Sequence, residues 1–353
     1  MKKKYKKAFH RIFNVTNKHR YKIIDILGFR IKINRFKFKY PIDLVYCWVD
    51  GNDTKWQQEK LLWQKKLNIP TENNILNPCR FIDNEELRYS LRSVGQNASW
   101  INHIYIITNG QIPAWLDTTH PKITIIKHKD IMPADALPTF NSEAIETCIE
   151  NIPNLSEHFL YANDDCFIYK TITPTYFFNK KGVPIVRLAK QNWSQEIINK
   201  QLYLTNIIHS AGLIKECYGI FYKYEPSHNI DAYRKSYYKE CINEFKKDFD
   251  KTLYCKFRTP NSVQRVIFSF YMLAKKKCIL KNIRLWSKKT QLENIYVPLS
   301  HPIKMDRRIN KHKKKLKLFC INDNEKTHQE DREKLKDYLE FLFPKAQEWE
   351  KAI

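Results

Sequence analysis

The chain has 353 residues, 43% of them hydrophobic and 14% aromatic, which is enough for one large or two moderate domains with a sizeable buried core. Its 7 glycines form neither GxGxxG nor GxxxxGK[ST], which argues against a glycine-rich nucleotide loop of the Rossmann or P-loop kind. A net charge of +25 implies an anionic partner, either nucleic acid or an acidic membrane surface.

Residues 1–40 contain 14 Lys or Arg and a single acid, Asp25, so +13 of the +25 lies at the start of the chain. Phe9, Phe13, Ile23, Ile24, Ile26 and Leu27 interleave with these charges, and FRIKINRFKFKY (29–40) alternates apolar and basic residues as a short strand pair would. This mixture fits attachment to an anionic membrane surface better than a disordered tail, and nucleic acid is not expected as a partner. A second basic run covers 304–317. The longest apolar runs, such as IIDILGF, fall short of the roughly 18–20 residues that span a bilayer. No signal-peptide pattern is evident, so a peripheral protein on the inner face of the cytoplasmic membrane is expected. The nine cysteines are odd in number and form no CxxC, which predicts free thiols rather than a zinc cluster or disulfides.

In the core, residues 43–49 read as a buried strand ending in Asp50-Gly51-Asn52-Asp53. A helix is expected from about Lys55 to Lys66, and another along RFIDNEELRYSLRSV, capped by Asp83 or Asn84, with Leu87, Leu91 and Val94 facing the core. Strands follow at 103–110 and 122–128. A helix opens at Asn141 or Ser142, and the strand HFLYANDD comes next. Strands alternating with helices indicate an α/β domain with a mostly parallel sheet. Residues 193–216, 231–250 and 263–277 read as helices, and an amphipathic helix is expected over 331–353. The expected organisation is a basic appendage (1–40), a catalytic domain (41–330) with its sheet in 41–190 and a mainly helical part in 191–330, and the terminal helix.

Asn163-Asp164-Asp165 closes an apolar strand with two adjacent carboxylates, which repel one another and cost several kcal/mol if buried unpaired. A hard divalent cation, Mg²⁺ or Mn²⁺, removes that cost, and the carboxyl ends of strands in α/β sheets are where ligands bind. An Asn-Asp turn is the plainer reading. Other polar clusters are Asp50 with Asp53, Arg80 to Arg92, Asn141 to Glu146, His228 and Arg258. Acids, a cation, a histidine and an arginine together suit the movement of a phosphorylated group.

These segments resemble the Stealth family of bacterial capsular polysaccharide phosphotransferases. The resemblance is carried by DLVYCWVDGNDTKW, by RFIDNEELRYSLRSVGQNASWINHIYIITNGQIPAWL through LPTFNSEAIETCIENIPNLSEHFLYANDDCF, by PSHNIDAYRKS through KFRTPNSV, and by LFCINDNE. It implies a GT-A-like nucleotide-sugar fold and transfer of a sugar 1-phosphate from a UDP-hexose or UDP-N-acetylhexosamine to a glycan hydroxyl, with UMP released. It also implies a place in capsule or surface-polysaccharide synthesis, beside assembly or export machinery. Under the same resemblance Asp164 and Asp165, with Asn163, hold the cation. His228 is the base, and Arg258 stabilises the transferred phosphoryl group. Asp50, Arg80, Asp83, Asn84, Glu85, Arg88, Arg92, Asn141, Ser142 and Glu143 shape the donor site. Asp53 and Asp323 match without a defined role. The runner-up is an ordinary metal-dependent GT-A glycosyltransferase that releases UDP.

Overall fold

The structure is a computed structural model and describes residues 13–18, 21–27, 29–34, 38–70, 74–190, 202–226, 228–283, 292–300 and 302–351. It contains two compact units, Met1–Tyr40 and Pro41–Ile353.

In the first unit, β1 (Phe13–Lys18), β2 (Tyr21–Ile26) and β3 (Phe29–Asn34) form an antiparallel meander. The strand pair expected within 29–40 is therefore corrected: 29–34 is one strand and its partner is β2, with Asp25 opposite Arg30 and the two side chains ion-paired at 2.7 Å. Residues 35–37 and 1–12 lie outside the described residues. Leu27, Phe29 and Ile31 at the β2–β3 turn are exposed.

The second unit begins with β4 (Ile42–Cys47), whose Ile42, Leu44, Val45 and Tyr46 are all buried. A continuous apolar run of this kind marks a strand covered on both faces. The chain continues through α1 (Thr54–Lys66) and α2 (Glu86–Asn97) to β5 (Ile104–Thr108) and β6 (Ile123–Lys127). It returns through α3 (Ser142–Glu146) to β7 (His158–Asn163) on the other side of β4. The sheet order is β11-β7-β4-β5-β6, parallel throughout except for β11 (Asp231–Arg234). The strand order reverses between β4 and β7, and such a switch point opens a crevice at the carboxyl ends. Cys47 pairs with Asn163, so the residues following both strands emerge side by side. As expected, Leu87, Leu91 and Val94 of α2 are buried.

The second half is less helical than expected. Residues 231–250 open with edge strand β11 before α5 (Lys235–Glu244) and α6 (Lys246–Leu253), because alternate residues Ala232 and Arg234 meet Leu160 and His158 across the ladder. Helix α4 (Leu202–Tyr218) packs with α7 (Val266–Ala274) in the main core; residues 193–201 of the expected 193–216 helix lie outside the described residues. Strands β9 (Ile185–Lys190), β10 (Tyr224–Pro226) and β12 (Ile279–Ile283) make one small sheet. β13 (Asn294–Pro298) and β14 (Leu318–Asn322) make another with β8 (Cys166–Ile168). Helix α8 (Pro302–His312) carries part of the 304–317 basic run.

The terminal helix α9 (Gln329–Leu342) is shorter than expected. Pro344 disfavours a helical Phe343, which is buried and ends the helix. The chain then runs back beside residues 115–117, with Lys351 N donating to Trp115 O (2.9 Å) and Asp117 N to Trp349 O (2.9 Å).

Candidate active site

The turn after β4 is held from two sides. Gln111, beyond β5, accepts from Asp50 N through Oε1 and donates to Asp50 O through Nε2, both at 3.0 Å. Gly51 N donates to Phe81 O at 2.9 Å, and a Cβ on Gly51 would lie 2.1 Å from that oxygen, so only glycine permits the approach. The contact ties the end of β4 to the loop entering α2.

That loop carries Asp83, Asn84 and Glu85. The expected cap at Asp83 or Asn84 is corrected: Glu85 is the N-cap residue, with a left-handed φ of 64°. Asp83 Oδ1 accepts from Glu85 N (3.0 Å), and Glu86 accepts from Asn84 N (2.6 Å) and Nδ2 (2.7 Å). These bonds hold the loop before the helix rather than capping it, and the strained Glu85 sits between the acids Asp83 and Glu86. Burial pushes Asp83 up to about 6 and the fully enclosed Glu86 to about 8.

Asp164 and Asp165 follow β7. Asp164 is half-buried, but the protein around its carboxyl desolvates it and raises it well above the carboxylate range; Asp165, Glu86 and Asp83 push in the same direction. Asp165 is buried and its oxygens meet neutral donors: Cys320 Sγ (3.2 Å) and Asn322 Nδ2 (3.0 Å) on Oδ2, and Cys166 Sγ (3.5 Å) on Oδ1. Burial pushes the Cys166 thiol up to about 11 and raises Cys320 well above its ordinary value, so both keep their protons. The Asp165, Cys166 and Cys320 grouping here is a carboxylate with two S–H donors. Among the described residues no Lys or Arg forms a salt bridge with Asp164 or Asp165. The hard, uncompensated oxygens of these two groups fit a divalent cation.

His228 stands over this pair. Its Nε2 accepts from Asn163 Nδ2 at 2.9 Å and lies 4.0 Å from Asp165 Oδ1. The rings of Tyr203 and Tyr296 flank it edge-on at 6.1 and 6.0 Å. Burial holds the imidazole below its ordinary value; Asp165 opposes this shift and the buried Arg265 guanidinium reinforces it. At neutral pH the ring is uncharged and basic. Arg265 is anchored by Asp231 (2.5 Å) and Tyr233 Oη (3.2 Å).

The third group gathers at α3. Asn141 Oδ1 caps the helix through Glu143 N (3.1 Å). Arg258 Nη2 donates to Ser142 Oγ (2.5 Å), and Asn206 Nδ2 donates to both Glu143 oxygens (3.1 and 2.9 Å). Burial raises Glu143 to about 7, although Arg258 and Arg80 draw it down. Burial lowers Arg80, and the Arg258 charge lowers it further. Two such cations near one acid suit an anion with several oxygens.

The structure places Asp50, Arg80, Asp83, Asn84, Asn141, Ser142, Glu143, Asn163, Asp164, Asp165, His228 and Arg258 in these three groups. It turns others elsewhere. Arg88 Nε and Arg92 Nε donate to Glu350 at 2.8 Å, and Arg92 Nη1 also reaches Glu340 at 2.8 Å. Glu85 accepts from Arg88 (3.3 Å) and Lys336 (2.5 Å). Asp53 caps α1 through Trp56 N (2.9 Å), and Asp323 accepts from Arg332 (2.9 Å). Glu86, Cys320, Asn322, Asn206, Tyr203, Tyr296 and Arg265 join the site without having been singled out in the sequence. Only the neighbourhood of LFCINDNE and RFIDNEEL pointed toward some of them.

Three family models match in chain order: Stealth protein conserved region 1 over residues 40–66, region 2 over 80–186 and region 4 over 307–353. An exopolysaccharide phosphotransferase of Streptomyces coelicolor is 33% identical over 320 residues, 87% of this chain and 52% of its own, so the chain spans about half of that relative. The exopolysaccharide phosphotransferase cps2G of Lactiplantibacillus plantarum is 33% identical over 66% of this chain and 76% of its own. The capsular polysaccharide phosphotransferase fcs1 of Haemophilus influenzae is 31% identical over 80% and 78%. Among solved structures, the galactosyltransferase LgtC with donor and acceptor sugar analogues aligns with 86% of this chain and 95% of its own, at 10% identity and a TM-score of 0.43. That likeness is too low to transfer residues. The ordered region matches and the relatives above 30% identity show that this chain belongs to the Stealth protein family.

Proposed function

We propose that the chain transfers a sugar 1-phosphate from a nucleotide-activated sugar, a UDP-hexose or UDP-N-acetylhexosamine, to a glycan hydroxyl during surface-polysaccharide synthesis. The acceptor oxygen bonds to the phosphorus next to the sugar, the bond from that phosphorus to the bridging oxygen breaks, and UMP leaves. The observation that carries this reading is a half-buried, neutral histidine 4.0 Å from an acid that no described Lys or Arg pairs.

In this reading His228 Nε2 takes the acceptor's proton once the hydroxyl displaces the Asn163 amide. Arg258, steadied by Ser142, and Arg80 bind the equatorial phosphoryl oxygens. Asp50, Asp83, Asn84 and Glu143 line the donor side. Asp164 and Asp165, with Asn163, would hold Mg²⁺ or Mn²⁺, which neutralises charge on the donor diphosphate. Residues 1–40, through their basic charge and the exposed Leu27, Phe29 and Ile31, would attach the protein to the anionic inner face of the cytoplasmic membrane. No described helix is long and apolar enough to cross a membrane.

Incubation with a panel of UDP-sugars, Mg²⁺ and a glycan acceptor, followed by mass analysis, should give UMP and an acceptor heavier by a hexose phosphate. Release of UDP with a hexose-only mass gain would overturn the reading in favour of a glycosyltransferase. Cosedimentation with phosphatidylglycerol vesicles should be lost on removal of residues 1–40, and unchanged sedimentation would sink the membrane assignment.

A further inference from the structure

We propose that Cys320 and Asn322 of β14, with Tyr296 behind them, are positioning residues that orient the Asp165 carboxylate for a divalent cation while leaving its charge uncompensated. The inference rests on the cation reading above and extends it to groups that touch neither cation nor substrate.

The geometry begins with a strand register. β14 runs antiparallel to β8 with Cys320 directly opposite Cys166, the residue after Asp165. Ile321 N donates to Asp165 O at 3.1 Å, which fixes the backbone of the acid to β14. From that frame Cys320 Sγ and Asn322 Nδ2 both reach Asp165 Oδ2, at 3.2 and 3.0 Å. Tyr296 Oη, on the parallel neighbour β13, donates to Asn322 Oδ1 at 3.0 Å. That bond sets the amide so that its NH₂, and not its oxygen, faces the carboxylate. The same tyrosine ring stands 6.0 Å from His228, so one residue braces both the acid and the base.

The donor types matter as much as the distances. An Arg or Lys at 322 would hold Asp165 more strongly but would cancel the charge that a cation needs. A thiol and an amide carry no charge. They fix the ligand's orientation, and groups in this outer layer commonly alter metal affinity by about 10–100-fold when removed. Both donors converge on Oδ2. On the other oxygen the distances are longer, 3.5 Å to Cys166 Sγ and 4.0 Å to His228 Nε2. Oδ1 is therefore the freer atom for coordination. Asp323, which invites attention in LFCINDNE, instead binds Arg332 through both oxygens. The contribution of this segment to the site comes from its neighbours.

The test is a Mn²⁺ titration of the full chain, reading free Mn²⁺ by electron paramagnetic resonance, with thermal unfolding followed in parallel. Asn322→Leu and Cys320→Ala should raise the Mn²⁺ Kd about tenfold or more. Cys320→Ser, which restores a donor, should return it to within about threefold of the parent. Tyr296→Phe is the control against simple misfolding: its ring is partly exposed, it deletes one hydroxyl, and it should raise the Kd about two- to fivefold with an unchanged unfolding temperature. Parent-like Kd values in Asn322→Leu and Tyr296→Phe, while Asp165→Asn abolishes Mn²⁺ binding, would overturn the positioning role. Parent-like binding in Asp165→Asn itself would overturn the cation reading, and that result is distinct from the first.

Discussion

Two sets of buried charge in the second unit are treated in opposite ways. On α2, Arg88 and Arg92 surround Glu350, whose side chain is 2% exposed and which accepts at 2.8, 2.8 and 2.9 Å, with Gln347 N adding a bond at 3.0 Å. Burial would raise this carboxyl, but Arg92 and Arg88 outweigh it and hold it low. At the ends of β4 and β7, by contrast, Asp83, Glu86 and Asp164 are all raised, and among the described residues the side-chain donors to Asp165 are neutral. Charge matched inside the chain serves architecture: it clips the last residues onto α2. The set that no described residue matches lies beside the neutral His228, and groups perturbed in this way cluster at functional sites.

Asp165→Asn probes the unmatched set and should have the largest effect. Turnover should fall about a thousandfold, equivalent to roughly 4 kcal/mol of lost transition-state stabilisation, while the fold stays intact. A rate within tenfold of the parent, measured as nucleotide release, would erase the distinction between the two sets. Glu350→Ala breaks the matched set. It leaves two guanidiniums facing each other and should cost about 3–5 kcal/mol in urea unfolding. A loss below about 1 kcal/mol would mean that the clip is ornamental.

Gly51→Ala strikes the hinge between the end of β4 and the α2 loop. Its Cβ would press on the Phe81 carbonyl, and a cost of about 1–3 kcal/mol is expected, with turnover falling because Asp50 and Asp83 shift apart. Parent-like stability would show that the loop yields easily.

The last prediction concerns pH. Asp83 and Glu86 have ordinary values of 3.8 and 4.5, raised in the fold to about 6 and about 8. Below about pH 4 both the folded and unfolded chains hold these protons, and the groups cost nothing. As pH rises the unfolded chain releases them first, so the cation-free fold loses stability progressively up to about pH 8. Glu86→Gln should flatten that slope in thermal scans with a chelator present. An unchanged slope would show that Glu86 does not titrate abnormally.

Much of the sheet was legible in the residues. The apolar runs at β4, β5 and β7 and the helices between them demand a buried parallel sheet, since no other arrangement covers both faces of such strands. The acids at the end of β7 stood out because a strand has no use for them. Less was legible where contacts are long-range. Arg88 and Arg92 lie on one stripe with Glu85, and nothing local shows that the stripe is claimed by a carboxylate 258 residues beyond Arg92. Asp323 and Cys320 are close in sequence, and only the β14–β8 register reveals which one faces Asp165.

By itself, then, the sequence determined the alternation of strands and helices, the crevice-end position of Asp50 and Asn163-Asp164-Asp165, and the family. These depend on periodicity and short motifs, which are local. The tertiary structure alone decided which charges are matched. Compensation depends on side chains that meet across hundreds of residues, and a difference of one ångström or one uncharged partner separates a structural ion pair from an acid left open for a ligand.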